Sequence, residues 1–176
     1  MKRHKRKILV VLGLLAALAT VGFLTKNFWR DQFRAFYLGQ VELAAEHYQH
    51  LPKDIDTVEI FTLSTYSHYA DSDYKNGFYG DYNGIAGTLD HKTLTGTDAK
   101  EVVKLWGAFQ IGRELQAMCF DPVYGLQFKR NGKIYFQTSV CWRCSGFTLP
   151  VPFFGTVQYG FSAEDKGAQK LLEILE

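Results

Sequence analysis

The longest apolar stretch of the chain lies close to its N-terminus and predicts a membrane-spanning helix. Residues 8–24, ILVVLGLLAALATVGFL, contain no charged side chain and follow the basic segment MKRHKRK, residues 1–7. As a helix this stretch is roughly 26 Å long, close to the roughly 30 Å core of a bilayer. Basic residues before a span keep the N-terminus in the cytoplasm, so the remainder is expected on the far side. The sequence Ala17-Leu18-Ala19 leaves a cleaved signal peptide as the alternative.

Beyond this segment, the spacing of apolar residues alternates between helix-like and strand-like. Residues 25–52 are predicted to form a helical connector, which ends before Pro52 because the residue preceding a proline avoids the helical region. The β-branched and aromatic run from Thr57 to Ser64 predicts a strand. Apolar residues at helical spacing predict two later helices: Val102, Leu105, Trp106 and Phe109 in one, and Ala168, Leu171, Leu172 and Leu175 in the other. We therefore expect residues 53–176 to form an α+β domain, an antiparallel sheet with helices packed on one side.

Asn131-Gly132 stands between two strand-forming runs and predicts a tight hairpin. This dipeptide is preferred in two-residue type I′ turns because both positions need a positive φ. Uninterrupted pairing from this turn places Phe128 opposite Tyr135. Carried further outward, the same register places Cys119 opposite Cys144.

The chain has three cysteines, Cys119, Cys141 and Cys144, and all of them lie around this hairpin. In the predicted register, Cys119 and Cys144 form a non-hydrogen-bonded pair with Cα atoms about 4.5 Å apart, which a disulfide can bridge. The sequence therefore predicts a Cys119–Cys144 disulfide that leaves Cys141 free. A bond between Cys141 and Cys144 is the alternative, and it requires the chain to turn between them.

The distribution of charge argues against a nucleic-acid partner. The formal net charge is +2 at pH 7, but residues 1–7 hold five of the 20 Lys and Arg residues. The remainder has 15 basic residues against 18 acidic ones and no basic stripe, so no nucleic acid is expected to bind. The sequence contains no Gly-x-Ser-x-Gly motif and no evident pair of carboxylates. We predict no catalytic residue and favour a role that is not enzymatic.

The pattern Cys119-x-x-Pro122-x-Tyr124-Gly125, followed by Cys141-Trp142-x-Cys144, resembles a family of uncharacterised bacterial envelope proteins. Members share a Cys-x-x-Pro-x-His/Tyr-Gly block, a later Cys-x-x-Cys, and an N-terminal membrane segment or lipid anchor. The similarity covers residues 85–147. The resemblance implies a bacterial protein of the inner membrane with its domain outside the cytoplasm. It also marks Pro122, Tyr124, Gly125 and Trp142 as motif residues, and it implies no activity.

Three interpretations of the cysteines stay open. A structural disulfide is favoured by an oxidising compartment and needs no cofactor. A zinc site would use the thiolates of Cys119, Cys141 and Cys144, with a fourth ligand from Asp121, His91 or His68. Thiol-redox chemistry is the third, although its Cys-x-x-Cys motif normally begins a helix. We accordingly expect a membrane-anchored structural or binding module, with a zinc-binding or redox protein as the alternative.

Overall fold

The structure is a computed structural model that describes the backbone of residues 2–64, 78–79, 85–114 and 120–176. Within these ranges, the side chains of Thr20, Thr25 and all residues from 28 onward are described. The exceptions are residues 79, 85–86 and 113–114. The chain forms two compact units, Met1–Gln40 and Val41–Glu176. Among the described residues, no helix is both long enough and apolar enough to cross a membrane. The predicted span, residues 8–24, lies outside the described side chains apart from Thr20.

Three helices and nine strands make up the described part of the chain. The helices are α1 (Lys2–Gln49), α2 (Gly96–Gly107) and α3 (Lys166–Leu175). The strands are β1 (Thr57–Leu63), β2 (Phe78–Tyr79), β3 (Ile85–Ala86), β4 (Thr88–Thr95), β5 (Ile111–Glu114), β6 (Tyr124–Arg130), β7 (Lys133–Cys141), β8 (Gly146–Val151) and β9 (Gly155–Phe161).

Seven of these strands form one antiparallel sheet in the order β4-β1-β6-β7-β8-β9-β5, and β2 pairs with β3 in a small second sheet. Consecutive strands from β6 to β9 are neighbours, as short hairpin connections require. The predicted α+β class and antiparallel sheet are therefore confirmed.

The core lies on the sheet face where aromatic side chains of β6 to β9 meet α2. Trp106 of α2 is fully buried, and its ring lies 5.2–5.5 Å from the rings of Phe128, Phe136 and Phe147. The indole N–H of Trp106 donates a 2.7 Å hydrogen bond to the carbonyl oxygen of Tyr48. This bond satisfies the polar atom of a residue that is otherwise surrounded by apolar side chains.

The last residues of α1 belong to the second unit and pack on the same aromatic core. The ring of Tyr48 stacks on Phe136 at 4.7 Å, and the hydroxyl of Tyr159 donates to the carbonyl oxygen of Val41 at 2.7 Å. The helix ends at Gln49, shortly before Pro52 as the sequence predicts. The end of α1 is thus held in the domain by both stacking and hydrogen bonds.

The predicted register of the β6–β7 hairpin is correct at the turn and wrong beyond it. Both turn residues have positive φ, 51° at Asn131 and 72° at Gly132, as a type I′ turn requires. A bulge after Phe128 then shifts the pairing, so Phe128 faces Phe136 instead of Tyr135. A one-residue shift moves side chains to the opposite face of a sheet. The bulge therefore buries Phe136 against Trp106 in the core and leaves Tyr135 half-buried.

The second face of the sheet holds a smaller apolar cluster beneath β2. Phe78 is 1% exposed and packs with Leu63 and Phe61, whose ring lies 4.9 Å away. Gly125 lies directly under the Phe78 ring. A Cβ at that position would be only 2.6 Å from the nearest ring carbon. The absence of a side chain at Gly125 therefore allows Phe78 to contact the sheet.

Candidate functional site

The Cys141-Trp142-Arg143-Cys144 segment forms the turn between β7 and β8. The strand β7 ends at Cys141, which pairs with Gly146 at the start of β8. The turn is closed by the N–H of Ser145, which donates to the carbonyl oxygen of Trp142 at 3.0 Å, and Ser145 has a φ of 49°. A disulfide joins Cys141 to Cys144, whose Cα atoms are 5.6 Å apart. The segment is therefore held both by a backbone hydrogen bond and by the disulfide between its first and last side chains.

The structure differs from the predicted pairing of Cys119 with Cys144. Cys144 is bonded to Cys141 instead, which is the alternative that the sequence left open, and Cys119 lies outside the described residues. The predicted register assumed that β7 continues straight through Cys144. The strand instead ends at Cys141 and the chain reverses, so Cys144 does not face the strand that precedes the hairpin.

Burial and hydrogen bonding distinguish the two sulfur atoms of the disulfide. Cys141 is 1% exposed, whereas Cys144 is half-buried. The backbone N–H of Cys144 donates to Sγ of Cys141 at 3.3 Å. A donor at this position would stabilise a thiolate on Cys141 if the disulfide were reduced. Cys144 is therefore the more exposed of the two cysteines, and the N–H donor lies at the sulfur of the buried one.

The other motif residues surround this turn or the start of β6. The Trp142 ring packs edge-on against Phe161 at 5.1 Å, and its buried indole nitrogen has no hydrogen-bond partner in the part of the chain that the structure describes. Pro122 is buried before β6, and Tyr124 is the first residue of that strand. Burial raises the pKa of Tyr124, with a smaller contribution from the carboxylate of Glu176. Tyr124 therefore stays protonated at neutral pH and is suited to packing and hydrogen bonding, not to acting as an anionic ligand.

The predicted ligands for zinc are only partly accounted for. Cys119 and His68 lie outside the described residues. His91 lies on β4, which β1 and β6 separate from β7, a distance of about 14 Å at the usual strand spacing. Its ring stacks on Phe61 at 5.7 Å. In the described residues, no group of three or more His, Cys, Asp or Glu side chains is arranged to hold a metal ion.

Asp121 and the sheet beside the disulfide hold buried polar atoms without partners. Among the described residues, one buried carboxylate oxygen of Asp121 has no hydrogen-bond partner, and the same holds for the hydroxyl of Ser139 and the amide oxygen of Gln127. Gln127 and Ser139 are fully buried, and the backbone N–H of Ser139 donates to the hydroxyl of Thr148 at 2.9 Å. Gln127 and Ser139 therefore occupy polar positions of the alternating strand pattern but are buried, where that pattern predicts exposure to solvent.

A groove of about 610 Å³ lies where the end of α1 approaches the end of α2. The two helices approach each other closely at Gly107. A Cβ at this position would lie only 3.4 Å from the carbonyl oxygen of Gln49. Its more buried lining is apolar and its exposed lining is cationic. The apolar residues are Leu51, Ile55 and Val103, and the cationic ones are Lys53, Lys100 and Lys104.

Sequence reasoning did not identify this groove. The four-residue spacing of Lys100 and Lys104 indicates that both lie on one face of a helix. This spacing is the one feature of the sequence that points to the groove. No local rule connects either of them to Lys53, since about 50 residues separate these positions in the chain. The groove exists only because α1 and α2 pack on the same aromatic core.

Comparison of the chain with protein families, with curated proteins and with solved structures found no match in any of the three. The chemistry of this protein must therefore be inferred from its own residues. Two features could carry a function: the turn after β7, which the disulfide closes, and the groove at the ends of α1 and α2.

Proposed function

We propose that the chain is a single-pass protein of the bacterial inner membrane whose domain, residues 53–176, is a structural or binding module outside the cytoplasm. The observation that carries this proposal is the disulfide between Cys141 and Cys144. Disulfides persist in oxidising compartments and are rare in the cytosol. A disulfide that closes a turn within the sheet is what a domain exposed to the periplasm or the cell exterior would be expected to contain.

The N-terminal sequence supplies the proposed anchor. Residues 8–24 are uncharged and follow a basic segment, which is the arrangement that keeps an N-terminus in the cytoplasm. The lipid bilayer would then be the first partner of the protein. The helical connector, residues 25–52, would join the anchor to the domain.

The proposed role of the disulfide is to hold the turn between β7 and β8. Its loop contains only four residues, so the chain-entropy model assigns it about 2 kcal/mol of stability. Replacing Cys141 and Cys144 together with alanine should lower the free energy of unfolding by about that amount, measured by urea titration. A structural disulfide predicts this loss without any loss of ligand binding.

Reporter fusions test the proposed location. A reporter that is active only outside the cytoplasm, fused after Glu176, should be active, and a reporter that is active only in the cytoplasm should be silent. In intact cells, Cys141 and Cys144 should resist alkylation until a reductant is added. The opposite reporter pattern, or free thiols at both positions in untreated cells, would overturn the proposal.

A second candidate function is thiol-disulfide exchange, with zinc binding by the reduced cysteines as its variant. The hydrogen bond from the N–H of Cys144 to Sγ of Cys141 favours this candidate, because it would stabilise the thiolate released by attack on Cys144. The burial of Cys141 and the strand that follows the turn favour a structural role instead. Native mass spectrometry with and without reductant distinguishes them. With reduced glutathione as the reductant, a redox protein would form a glutathione mixed disulfide on Cys144 and release Cys141 as a thiolate. With zinc supplied, a zinc protein would gain one metal ion on reduction.

A further inference from the structure

The acidic residues next to two of the groove lysines in the chain form ion pairs with other elements. Asp54 follows Lys53 in the chain, but its carboxylate pairs with Arg130 at 2.5 Å. Glu101 follows Lys100, but it pairs with Lys170 of α3. In the described part of the chain, no ion pair includes any of the three groove lysines. Lys104 is attracted by the nearby carboxylate of Glu101 without forming a direct ion pair, so the three ammonium groups remain available on a domain that is otherwise weakly acidic.

Helix geometry explains only one of these lysines. The C-terminal carbonyls of a helix carry partial negative charge and attract cations within the last turn. Lys104 lies in the last turn of α2 and fits this explanation. Lys100 lies one turn earlier on the same face, where a second positive charge four residues away destabilises the helix. Lys53 lies outside both helices. Local stability of α2 thus gives no reason for Lys100 to border the groove, whereas Lys53 lies four residues beyond the C-terminal end of α1.

The size and lining of the groove indicate the kind of ligand. A volume of about 610 Å³ falls within the range of small-molecule sites. Ammonium groups on flexible side chains bind phosphate and carboxylate groups as point charges. The half-buried side chains of Leu51 and Val103 offer an apolar surface beside these charges.

We propose that this groove binds a small multivalent organic anion, with its phosphate or carboxylate groups at Lys53, Lys100 and Lys104 and its apolar part on Leu51 and Val103. This inference rests on the proposed binding role of the domain and names the class of ligand. It requires neither the membrane anchor nor the disulfide.

Calorimetric titration of the full-length chain in a neutral detergent tests the proposal. The probes are inorganic pyrophosphate and citrate, which distinguish a phosphate site from a carboxylate site, and spermidine is the cationic control. At least one anion should bind with a dissociation constant below about 1 mM, and its affinity should fall as salt is added. Bound anion should also slow acetylation of Lys100 and Lys104 relative to Lys133, as measured by mass spectrometry.

Matched variants locate the binding. Lys100→Gln with Lys104→Gln should weaken binding by about tenfold or more, because charged hydrogen bonds to the anion are lost. The control, Lys133→Gln with Lys166→Gln, removes the same charge from exposed positions outside the groove and should leave affinity unchanged. The paired replacements Lys100→Arg and Lys104→Arg keep both positive charges and should retain most of the affinity, as expected if charge binds the anion. An unchanged urea midpoint of the glutamine variant would exclude misfolding as the cause of its lower affinity.

Two results would overturn the proposal: no binding of either anion at concentrations up to about 10 mM, or equal losses of affinity in the groove variant and in the control. Neither result would affect the reporter experiment, which tests membrane topology alone. A failure of the ligand class and a failure of the proposed location are therefore distinguishable.

Discussion

Replacing Gly125 with alanine tests whether Phe78 is held against the sheet as tightly as the structure indicates. The new Cβ would lie 2.6–2.7 Å from three ring carbons of Phe78, whereas ordinary carbon–carbon contacts are about 3.5–4.0 Å. The ring must therefore move by about 1 Å. It is 1% exposed and packs on Phe61, so the movement disrupts a filled cluster. Overpacking of this kind costs about 1–3 kcal/mol, and we expect a loss of that size.

Urea unfolding of the full-length chain, followed by tryptophan fluorescence, measures this loss as a lower midpoint at an unchanged slope. Gly39→Ala is a matched control, because its added methyl group would meet no described atom within 4 Å apart from the backbone of its own helix and should not lower the midpoint. Phe78→Leu makes room for the methyl group, so the loss in Gly125→Ala/Phe78→Leu should be at least about 1 kcal/mol smaller than the sum of the single losses. An unchanged midpoint in Gly125→Ala, or additive losses in the double variant, would refute the reasoning.

Three further predictions concern single side chains of the domain. Hydrogen bonds from Thr57 and from the N–H of Asn131 (2.6 Å) lower the pKa of Asp56 in the folded protein. The ionised carboxylate therefore stabilises the fold above the usual carboxyl pKa of about 4. This stabilisation is lost as the pH falls through the lowered pKa of the folded state. The difference in stability between wild type and Asp56→Asn should thus shrink between pH 6 and pH 3, and a constant difference would contradict this. Phe153 has a φ of 69° and is 91% exposed, so Phe153→Gly should raise stability by up to about 1 kcal/mol in urea titrations, and a loss would argue against strain at this turn. Trp106→Phe should cost about 2–4 kcal/mol by calorimetry, because it leaves a cavity and an unpaired Tyr48 carbonyl; a loss below about 1 kcal/mol would mean that water or repacking compensates.

Local sequence rules correctly predicted the features that depend on a few neighbouring residues. The Asn131-Gly132 turn formed because both residues tolerate positive φ, and α1 ended before Pro52 because the residue preceding a proline avoids helical geometry. The α+β class followed from alternating and helical apolar periods, which decide the type of an element by themselves. These interactions act within a turn or a strand, so the sequence alone contains the information.

The pairing of the cysteines was decided by packing at a distance. The bulge after Phe128 arises because it lets Phe136 join Trp106 and Tyr48, two residues far away in the chain, in the core. No local propensity predicts a one-residue shift of this kind. The reversal after Cys141 similarly depends on β8 joining the sheet, and it is this reversal that brings Cys144 to Cys141.

The sequence by itself thus determined the type of the main elements, the hairpin turn and the expectation of an N-terminal anchor. Tertiary structure alone decided which cysteines meet and which charges pair. Asp54 and Glu101 are each adjacent in sequence to a groove lysine, yet they pair with Arg130 and Lys170, which other elements bring near. The physical reason is that a side chain's nearest partner in space is set by the packing of whole helices and strands, and this packing minimises exposed apolar area over the entire domain.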